Sequence, residues 1–179
     1  MENRNHKDSL FIDLFCKDKE GKQNFISLYN ALHNTNLDLA TTTVQEVNIE
    51  NVLYMALSND IAMLVDNKLV VLVEHQSTIN ENMPLRLLEY VSRIYEQLVP
   101  SEKKKKKKMI KIPYPEFFVF YNGTEDYPVE TELKLSDAFI FPDEKYNVQN
   151  NNFTFEIKVK IVNINSDKNS PILKQCKKL

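Results

Sequence analysis

Two apolar runs separated by a short turn constrain this chain more than any other feature of its sequence. Residues 61–65 and 69–73 are apolar and include β-branched side chains, and the turn signal Asp66-Asn67-Lys68 lies between them. Such runs on either side of a polar turn predict an antiparallel β-hairpin. The second run has no polar residue, so we expect it to be a central strand that is buried on both faces.

One acid stands at each outer end of this hairpin. Asp60 precedes the first run and Glu74 follows the second, so antiparallel pairing would bring them within about 5 Å of each other. Unpaired carboxylates are costly to bury, and two of them at one sheet end favour a hard divalent cation. The alternative is structural: Asp60 caps the turn before the strand, and Glu74 marks where the strand leaves the core. Spacing alone does not decide between them.

The stretch around the hairpin carries a recognisable pattern. It consists of an acid at position 60, then Glu74-His75-Gln76-Ser77-Thr78, then Asn-Met-Pro-Leu-Arg86, and Tyr90 four residues further on. Segments 7–11 and 115–125 add to the similarity. From residue 7 to about residue 165, the chain resembles the recombination-promoting nuclease (Rpn) and transposase family, a branch of the PD-(D/E)XK nuclease superfamily.

This resemblance implies a fold class and a reaction. The fold would be an α/β, restriction-endonuclease-like sandwich with a mixed central β-sheet flanked by helices. The reaction would be metal-dependent hydrolysis of DNA by an endonuclease linked to recombination or mobile elements. Asp60 and Glu74 would be catalytic residues that hold Mg²⁺, with Mn²⁺ as a substitute. Gln76, also catalytic, stands where the wider superfamily has lysine, and its amide could orient the attacking water without adding positive charge.

The helix that starts near Pro84 supplies the expected substrate contacts. Arg86 and Tyr90 are four residues apart, so they lie on the same side of a helix. Arg86 could bind a DNA phosphate through two hydrogen bonds. The alternative is that Arg86 pairs with Glu89 or Glu74, and so positions an acid instead of the substrate.

The superfamily often places a first acid on an N-terminal helix, and Asp8 is the candidate here. Residues 8–16 are predicted to form a short helix, and an N-cap is the simpler interpretation of Asp8. Glu46 and Glu50 are alternative first acids. The sequence does not choose among the three.

Apolar spacing predicts the other elements. A polar loop at residues 17–23 precedes a second helix, which ends near His33, a residue that we interpret as lying on the surface. A helix over residues 84–98 lies between the second hairpin strand and an aromatic strand at 117–121. That order predicts a βαβ unit with parallel strands. Residues 153–162 alternate in polarity and are predicted to be a half-exposed strand.

Length and composition bound the class of protein. Of the 179 residues, residues 1–165 are predicted to form the nuclease-like domain, and residues 166–179 begin a C-terminal helical part that stops early. Cys16 and Cys176 give neither a disulfide framework nor a metal-ligand pair, which fits a reducing cytosol. The expected location is the bacterial cytoplasm. No apolar run is long enough to span a membrane. DNA is the expected partner, a membrane is not, and a homodimer is left open.

Six consecutive lysines, residues 103–108, stand out in a chain whose net charge is −2. Such a block repels itself, so we expect a mobile loop between a helix and a strand. A lysine-rich linker is the simpler interpretation. Contact with nucleic acid is the alternative, and it would make binding sensitive to salt.

Two other functions compete with the nuclease. One is a catalytically weak nucleic-acid-binding relic of the same fold. The other is a protein-interaction module that recruits a partner through an exposed sheet edge at residues 153–162.

Overall fold

The computed structural model describes residues 14–15, 18–47, 61–140, 154–165 and 172, and for residues 71–75 it describes the backbone alone. The strands are β1 (Val44–Glu46), β2 (Ile61–Val65), β3 (Lys68–Gln76), β4 (Tyr114–Tyr121), β5 (Glu130–Lys134) and β6 (Lys158–Asn163). The helices are α1 (Lys19–His33), α2 (Met83–Leu98) and α3 (Ser101–Lys104), and a 3₁₀ helix spans Leu135–Ala138.

The strands form one mixed sheet in the order β1-β2-β3-β4-β6-β5. The predicted hairpin is confirmed, because β2 and β3 pair antiparallel with Ile61 opposite Leu72. Its turn is tighter than predicted, since Lys68 already pairs with Val65 inside the sheet. Asp66 takes a positive φ of 53°, a conformation that asparagine and aspartate tolerate better than most residues.

The predicted βαβ unit is also confirmed. β3 and β4 pair in parallel, and α2 lies between them in the sequence. β4 and β6 are parallel as well. Three strands therefore end at the same edge of the sheet, at Gln76, Tyr121 and Asn163, and this carboxyl edge is where the open α/β sheets of enzymes bind their ligands.

Helices cover both faces of the sheet, as the sandwich prediction requires. On one face, Phe25 of α1 and Phe118 of β4 belong to one buried cluster. On the other face, Leu87 of α2 and Val119 of β4 belong to a second cluster. Because successive strand residues point to opposite faces, β4 contributes alternately to the two cores. The predicted α/β fold class is thereby confirmed.

The predicted loop at residues 17–23 is wrong from Lys19 onward. α1 begins at Lys19, and the Asp18 carboxylate caps it by accepting a hydrogen bond from Gly21 N at 2.9 Å. Such a cap satisfies a backbone donor that has no partner within the helix. The single glycine of the first turn had suggested a loop, but the capping interaction outweighs the low helix propensity of glycine.

The predicted strand at 153–162 starts too early, and its edge position is wrong. β6 spans Lys158–Asn163 and lies between β4 and β5, so its backbone is paired on both sides. The interaction module that was predicted to use this strand as an exposed edge has no such edge there. The lysine run also departs from prediction, because Ser101–Lys104 form one helical turn.

Several predictions fall outside the described residues. They include a first helix at 8–16, of which only residues 14 and 15 are described, and the division of the chain at residue 165. Ile172 is 2 % exposed and packs into the α1-side core. Among the helices of the described ranges, none combines the length and the apolar character needed to cross a membrane.

Candidate functional site

Neither predicted metal ligand has a described side chain. Asp60, together with Asp8 and Glu50, lies outside the described residues, and for Glu74 the backbone alone is described. Asp60 immediately precedes Ile61, whose strand partner is Leu72, two residues before Glu74. The approach of the two carboxylates therefore stays a prediction.

The backbone at Glu74 is irregular. β3 and β4 are in register up to Val73 opposite Val119, and they resume with His75 opposite Phe120. Glu74 is thus the extra residue of a β-bulge. Bulges interrupt regular pairing and are over-represented next to active sites.

Gln76, at the last position of β3, has its side-chain amide engaged at both ends. Its Oε1 accepts a hydrogen bond from Asn80 N at 3.3 Å, and its Nε2 donates to the Met83 sulfur at 3.3 Å. These contacts hold the amide against the segment that leads into α2. The amide oxygen and nitrogen are distinguished here by these partners.

Met83 connects Gln76 to the second predicted residue of the site. Arg86 Nη1 also donates to the Met83 sulfur, at 3.3 Å, while the Met83 side chain is 0 % exposed. One buried sulfur thus contacts side chains from the end of β3 and from α2. The sequence offered only a weak signal for this role, because a methionine at the start of an amphipathic helix normally indicates core packing.

The alternative ion pair of Arg86 with Glu89 is not formed, since no carboxylate whose side chain is described lies within ion-pair distance of Arg86. The pairing of Arg86 with Glu74 is untested because the Glu74 side chain is not described. Thioether sulfur is a weak acceptor. Among the described side chains, the guanidinium of half-buried Arg86 thus contacts only this weak acceptor.

Tyr90 lies one turn after Arg86 but faces the core. It is 6 % exposed and belongs to the same buried cluster as Leu87 and Val91. Its predicted substrate contact would use the small part of the ring that reaches the surface. Arg93, further along α2, is exposed.

The ends of β3 and β4 approach each other closely beside Gln76. Asn122 N donates to the Gln76 carbonyl at 3.1 Å. At the next position, a Cβ on Gly123 would lie 2.5 Å from the Tyr121 hydroxyl and closer still to the Ser77 carbonyl oxygen. Only glycine fits at this crossing, which gives a physical reason for the Asn122-Gly123 pair at the strand end.

A tyrosine and an acid lie near this edge without having been predicted. Tyr127 packs against Tyr121 with ring centroids 4.8 Å apart. Burial raises the pKa of Tyr127 above its usual value of 10.0, and the negative charge of Glu81 raises that pKa further. Glu81 lies between Gln76 and Met83 in the sequence, so the segment from β3 to α2 carries an acid at the carboxyl edge.

Asparagine side chains hold this edge together. Asn163, at the end of β6, is 0 % exposed and donates through Nδ2 to the Tyr127 carbonyl at 2.8 Å. Asn165 Nδ2 donates to the Gly123 carbonyl at 2.8 Å. Because buried amides are costly when unpaired, these contacts fix the loops that follow β4 and β6.

The described residues do not form a metal centre on their own. No group of three histidine, cysteine, aspartate or glutamate side chains in the described ranges could hold a metal ion. Glu46, one alternative first acid, is exposed on the edge strand β1. The predicted metal ligands Asp60 and Glu74 are not covered by this search, because their side chains are not described.

A compact charged cluster occupies the opposite end of the β3–β4 pair. Glu116 contacts His33 Nε2 at 2.9 Å and Lys68 Nζ at 3.3 Å. Lys68 Nζ also donates to the Tyr29 hydroxyl at 3.0 Å, and the His33 ring stacks on Tyr29 with centroids 4.0 Å apart. We name these four residues the amino-end cluster. His33 is therefore partly buried and bonded, and its predicted surface position was wrong.

A mixed sheet between helical layers, with polar side chains collected at the carboxyl ends of its parallel strands, defines a restriction-endonuclease-like α/β protein. A family model described as "Putative transposase, YhgA-like" matches residues 5–170. The match covers most of the chain, so the protein belongs to this family, which is the Rpn/YhgA family of the PD-(D/E)XK superfamily. No curated protein and no solved structure matches the chain.

Proposed function

We propose that this protein is a Mg²⁺-dependent DNA endonuclease that acts in recombination or on mobile elements. The family indicates a nuclease-like role in mobile elements. The observation that carries the finer proposal is the joint contact of Gln76 and Arg86 with the Met83 sulfur. It brings an amide and a guanidinium together at the carboxyl edge, beside the bulge at Glu74.

Asp60 and Glu74 are the residues that would hold the metal. Carboxylate oxygens are the ligands that Mg²⁺ prefers in proteins. When bound, the ion would neutralise charge on the phosphate and lower the pKa of a water. The bulge supports the proposal because it gives the backbone at Glu74 a course different from that of the regular strand.

Polar side chains of the protein would bind the phosphate and orient the attacking water. Arg86 would bind a phosphate oxygen, since a guanidinium binds phosphate through charge-assisted hydrogen bonds. Gln76 would orient a water through its amide, which both donates and accepts. DNA would be the partner, and Mn²⁺ would substitute for Mg²⁺.

One observation favours the second candidate, a nucleic-acid-binding relic with weak catalysis. The Gln76 amide is already engaged by Asn80 and Met83. Orienting a water would require it to release at least one of these partners. A glutamine also lacks the positive charge that lysine would bring to the same position.

The decisive experiment is cleavage of supercoiled plasmid in Mg²⁺, in Mn²⁺ and in EDTA. The isosteric variants Asp60→Asn and Glu74→Gln each remove one predicted ligand, and we expect them to slow cleavage by about 100-fold or more. Matched controls are Asp137→Asn and Glu96→Gln, which neutralise exposed acids away from the carboxyl edge. We expect the controls to cleave like the wild type.

The outcomes separate the candidates. Cleavage that persists in EDTA, or that is unchanged in Glu74→Gln, would contradict the proposed metal-dependent reaction. DNA binding without cleavage in any metal would favour the relic. A contaminating nuclease would be recognised because its activity would not respond to Asp60→Asn.

A further inference from the structure

The lysine run is the most strongly charged surface of the described chain. Lys103 to Lys108 are all exposed, and they hold six of the 23 basic residues of the protein. Glu102 is the one acid beside them in the sequence. Although the net charge of the protein is −2, positive charge is concentrated at residues 103–108.

These lysines differ from the lysines of β5 and β6 in having no ionic partner among the described carboxylates. Lys160 pairs with Glu130 at 2.8 Å, and Lys134 and Lys158 lie 3.9 and 3.5 Å from Glu132. In contrast, none of the six lysines of the run lies within ion-pair distance of a described carboxylate. Within the described part of the chain, their charge is thus balanced by no carboxylate and faces the solvent.

The fold fixes where this charge lies. Tyr95, in the last turns of α2, accepts a hydrogen bond from Val99 N through its carbonyl at 3.0 Å. Its hydroxyl donates to the Pro113 carbonyl at 2.6 Å. Tyr95 therefore contacts both ends of the segment that carries the lysines, through its carbonyl at Val99 and through its hydroxyl at Pro113, just before β4 begins.

The lysines and the carboxyl edge lie at opposite ends of α2. The helix starts at Met83, in contact with Gln76, and runs for 16 residues, which is about 24 Å at 1.5 Å per residue. In duplex DNA this length corresponds to about seven base pairs at 3.4 Å each. A bound duplex could touch both regions at once.

We infer that residues 103–108 form a second contact surface for the DNA phosphate backbone, remote from the carboxyl edge. This inference rests on the proposed function for its choice of partner. A run of like charges repels itself, and a polyanion relieves that repulsion while releasing its own condensed counterions. The surface reads no sequence, because phosphate contacts position a protein on DNA without specifying bases.

An anionic membrane is the other polyanionic surface to consider, and the structure favours it less. Binding in a membrane interface typically uses an amphipathic helix with a continuous apolar face. The run contributes to one helical turn, Ser101–Lys104, in which no residue is buried. Binding to anionic vesicles distinguishes a membrane from DNA.

The test compares two triple variants that remove the same charge. Lys104→Gln/Lys106→Gln/Lys108→Gln acts on the run, and Lys134→Gln/Lys158→Gln/Lys160→Gln removes lysines that are paired with glutamates. Binding to a labelled duplex of about 30 base pairs is measured by fluorescence anisotropy in EDTA, between about 50 and 200 mM KCl. The slope of log K against log salt is negative, and in the run variant it should become shallower by about 2 to 3, at about 0.9 per phosphate contact.

We expect the sheet variant to keep a slope near that of the wild type, and a variant with arginine at 104, 106 and 108 to keep it fully. Equal slopes in the two glutamine variants would overturn the inference, as would the absence of DNA binding. Binding to phosphatidylcholine–phosphatidylserine vesicles that depends on the run, with an unchanged DNA slope, would overturn it in favour of a membrane. If the run variant has a shallower slope but the wild type cleaves no plasmid, the DNA contact of residues 103–108 would be upheld and the proposed nuclease activity contradicted.

Discussion

The two ends of the parallel β3–β4 pair differ in the partners that they give to their polar side chains. In the amino-end cluster, Glu116 contacts two cationic or protonatable partners, His33 and Lys68, within 3.3 Å. At the carboxyl edge, Arg86 and Gln76 both donate to a neutral sulfur. The first arrangement satisfies its charges internally. The second leaves a guanidinium with a weak described partner, which is what an anion-binding site requires.

Among the described side chains at these two ends, Arg86→Lys should give the largest effect, and it should act on activity alone. Lysine cannot reproduce a bidentate contact with phosphate, so we expect plasmid cleavage in Mg²⁺ to slow by about 100-fold, as for loss of one electrostatic contact in a transition state. Arg93→Lys, exposed on the same helix, is the matched control. Equal cleavage rates in the two variants would show that Arg86 does not bind substrate.

Glu116→Gln should act on stability alone. It removes the charge that joins His33 to Lys68, and we expect the free energy of unfolding to fall by about 1 to 2 kcal/mol. Glu132→Gln, which breaks the surface pairs with Lys134 and Lys158, should cost less than about 0.5 kcal/mol. Urea denaturation followed by circular dichroism measures both. A cost for Glu132→Gln as large as that for Glu116→Gln would contradict the contrast between the amino-end cluster and an ordinary surface pair.

Met83→Leu tests whether the Met83 sulfur positions Gln76 at the carboxyl edge. Leucine keeps most of the volume but removes the sulfur acceptor, so we expect a stability cost below about 1.5 kcal/mol. Met63→Leu, at an equally buried methionine in the α1-side core, should cost about the same. Only Met83→Leu should shift the side-chain amide resonances of Gln76 in a ¹⁵N spectrum. If Met63→Leu shifts them equally, the sulfur does not position Gln76.

The smallest expected effect is a loss of folding stability at alkaline pH. Burial lowers the pKa of Lys68, but the Tyr29 hydrogen bond and the charge of Glu116 outweigh burial, so the pKa lies above its usual value of 10.5. A folded-state pKa that is raised stabilises the fold below the unfolded pKa, and this stabilisation is lost as pH rises through the folded pKa. We therefore expect the free energy of unfolding to decline as pH rises above 10.5, through the folded pKa of Lys68.

The control for that decline is a pair of lysine variants. Lys68→Met should remove part of the alkaline loss, whereas Lys158→Met, on the exposed sheet surface, should leave it as in the wild type. Tyr127 also has a raised pKa and contributes a loss of the same sign to all three proteins. An alkaline decline that is identical in Lys68→Met and the wild type would show that the amino-end cluster does not contribute to it.

Local patterns predicted the elements better than their boundaries. The hairpin of residues 61–73 and the parallel β3–β4 pair followed from apolar runs, a turn signal and the intervening helix. The start of α1 was missed because a glycine in its first turn resembled a loop. The Asp18 cap that stabilises this start is a side-chain contact, and the choice of cap among several polar residues depends on geometry.

Some residues of the candidate site were predicted and others were missed, because side-chain contacts depend on the tertiary structure. Gln76 and Arg86 were selected by their resemblance to a family, and the fold places them around one sulfur. The role of Met83 was missed, because a methionine in an apolar stripe is normally core. Tyr90 was expected beside Arg86 at the substrate, yet its ring faces the core.

The sequence by itself determined the hairpin, the βαβ unit and the family, because periodicity and turn chemistry act between residues that are near in the chain. The tertiary structure decided that β6 lies inside the sheet, that His33 meets Glu116 across 83 residues, and that two site residues share the Met83 sulfur. Burial patterns report that a residue is covered but not which partner covers it. Strand order and side-chain pairing were therefore settled only when the two cores packed on opposite faces of the sheet.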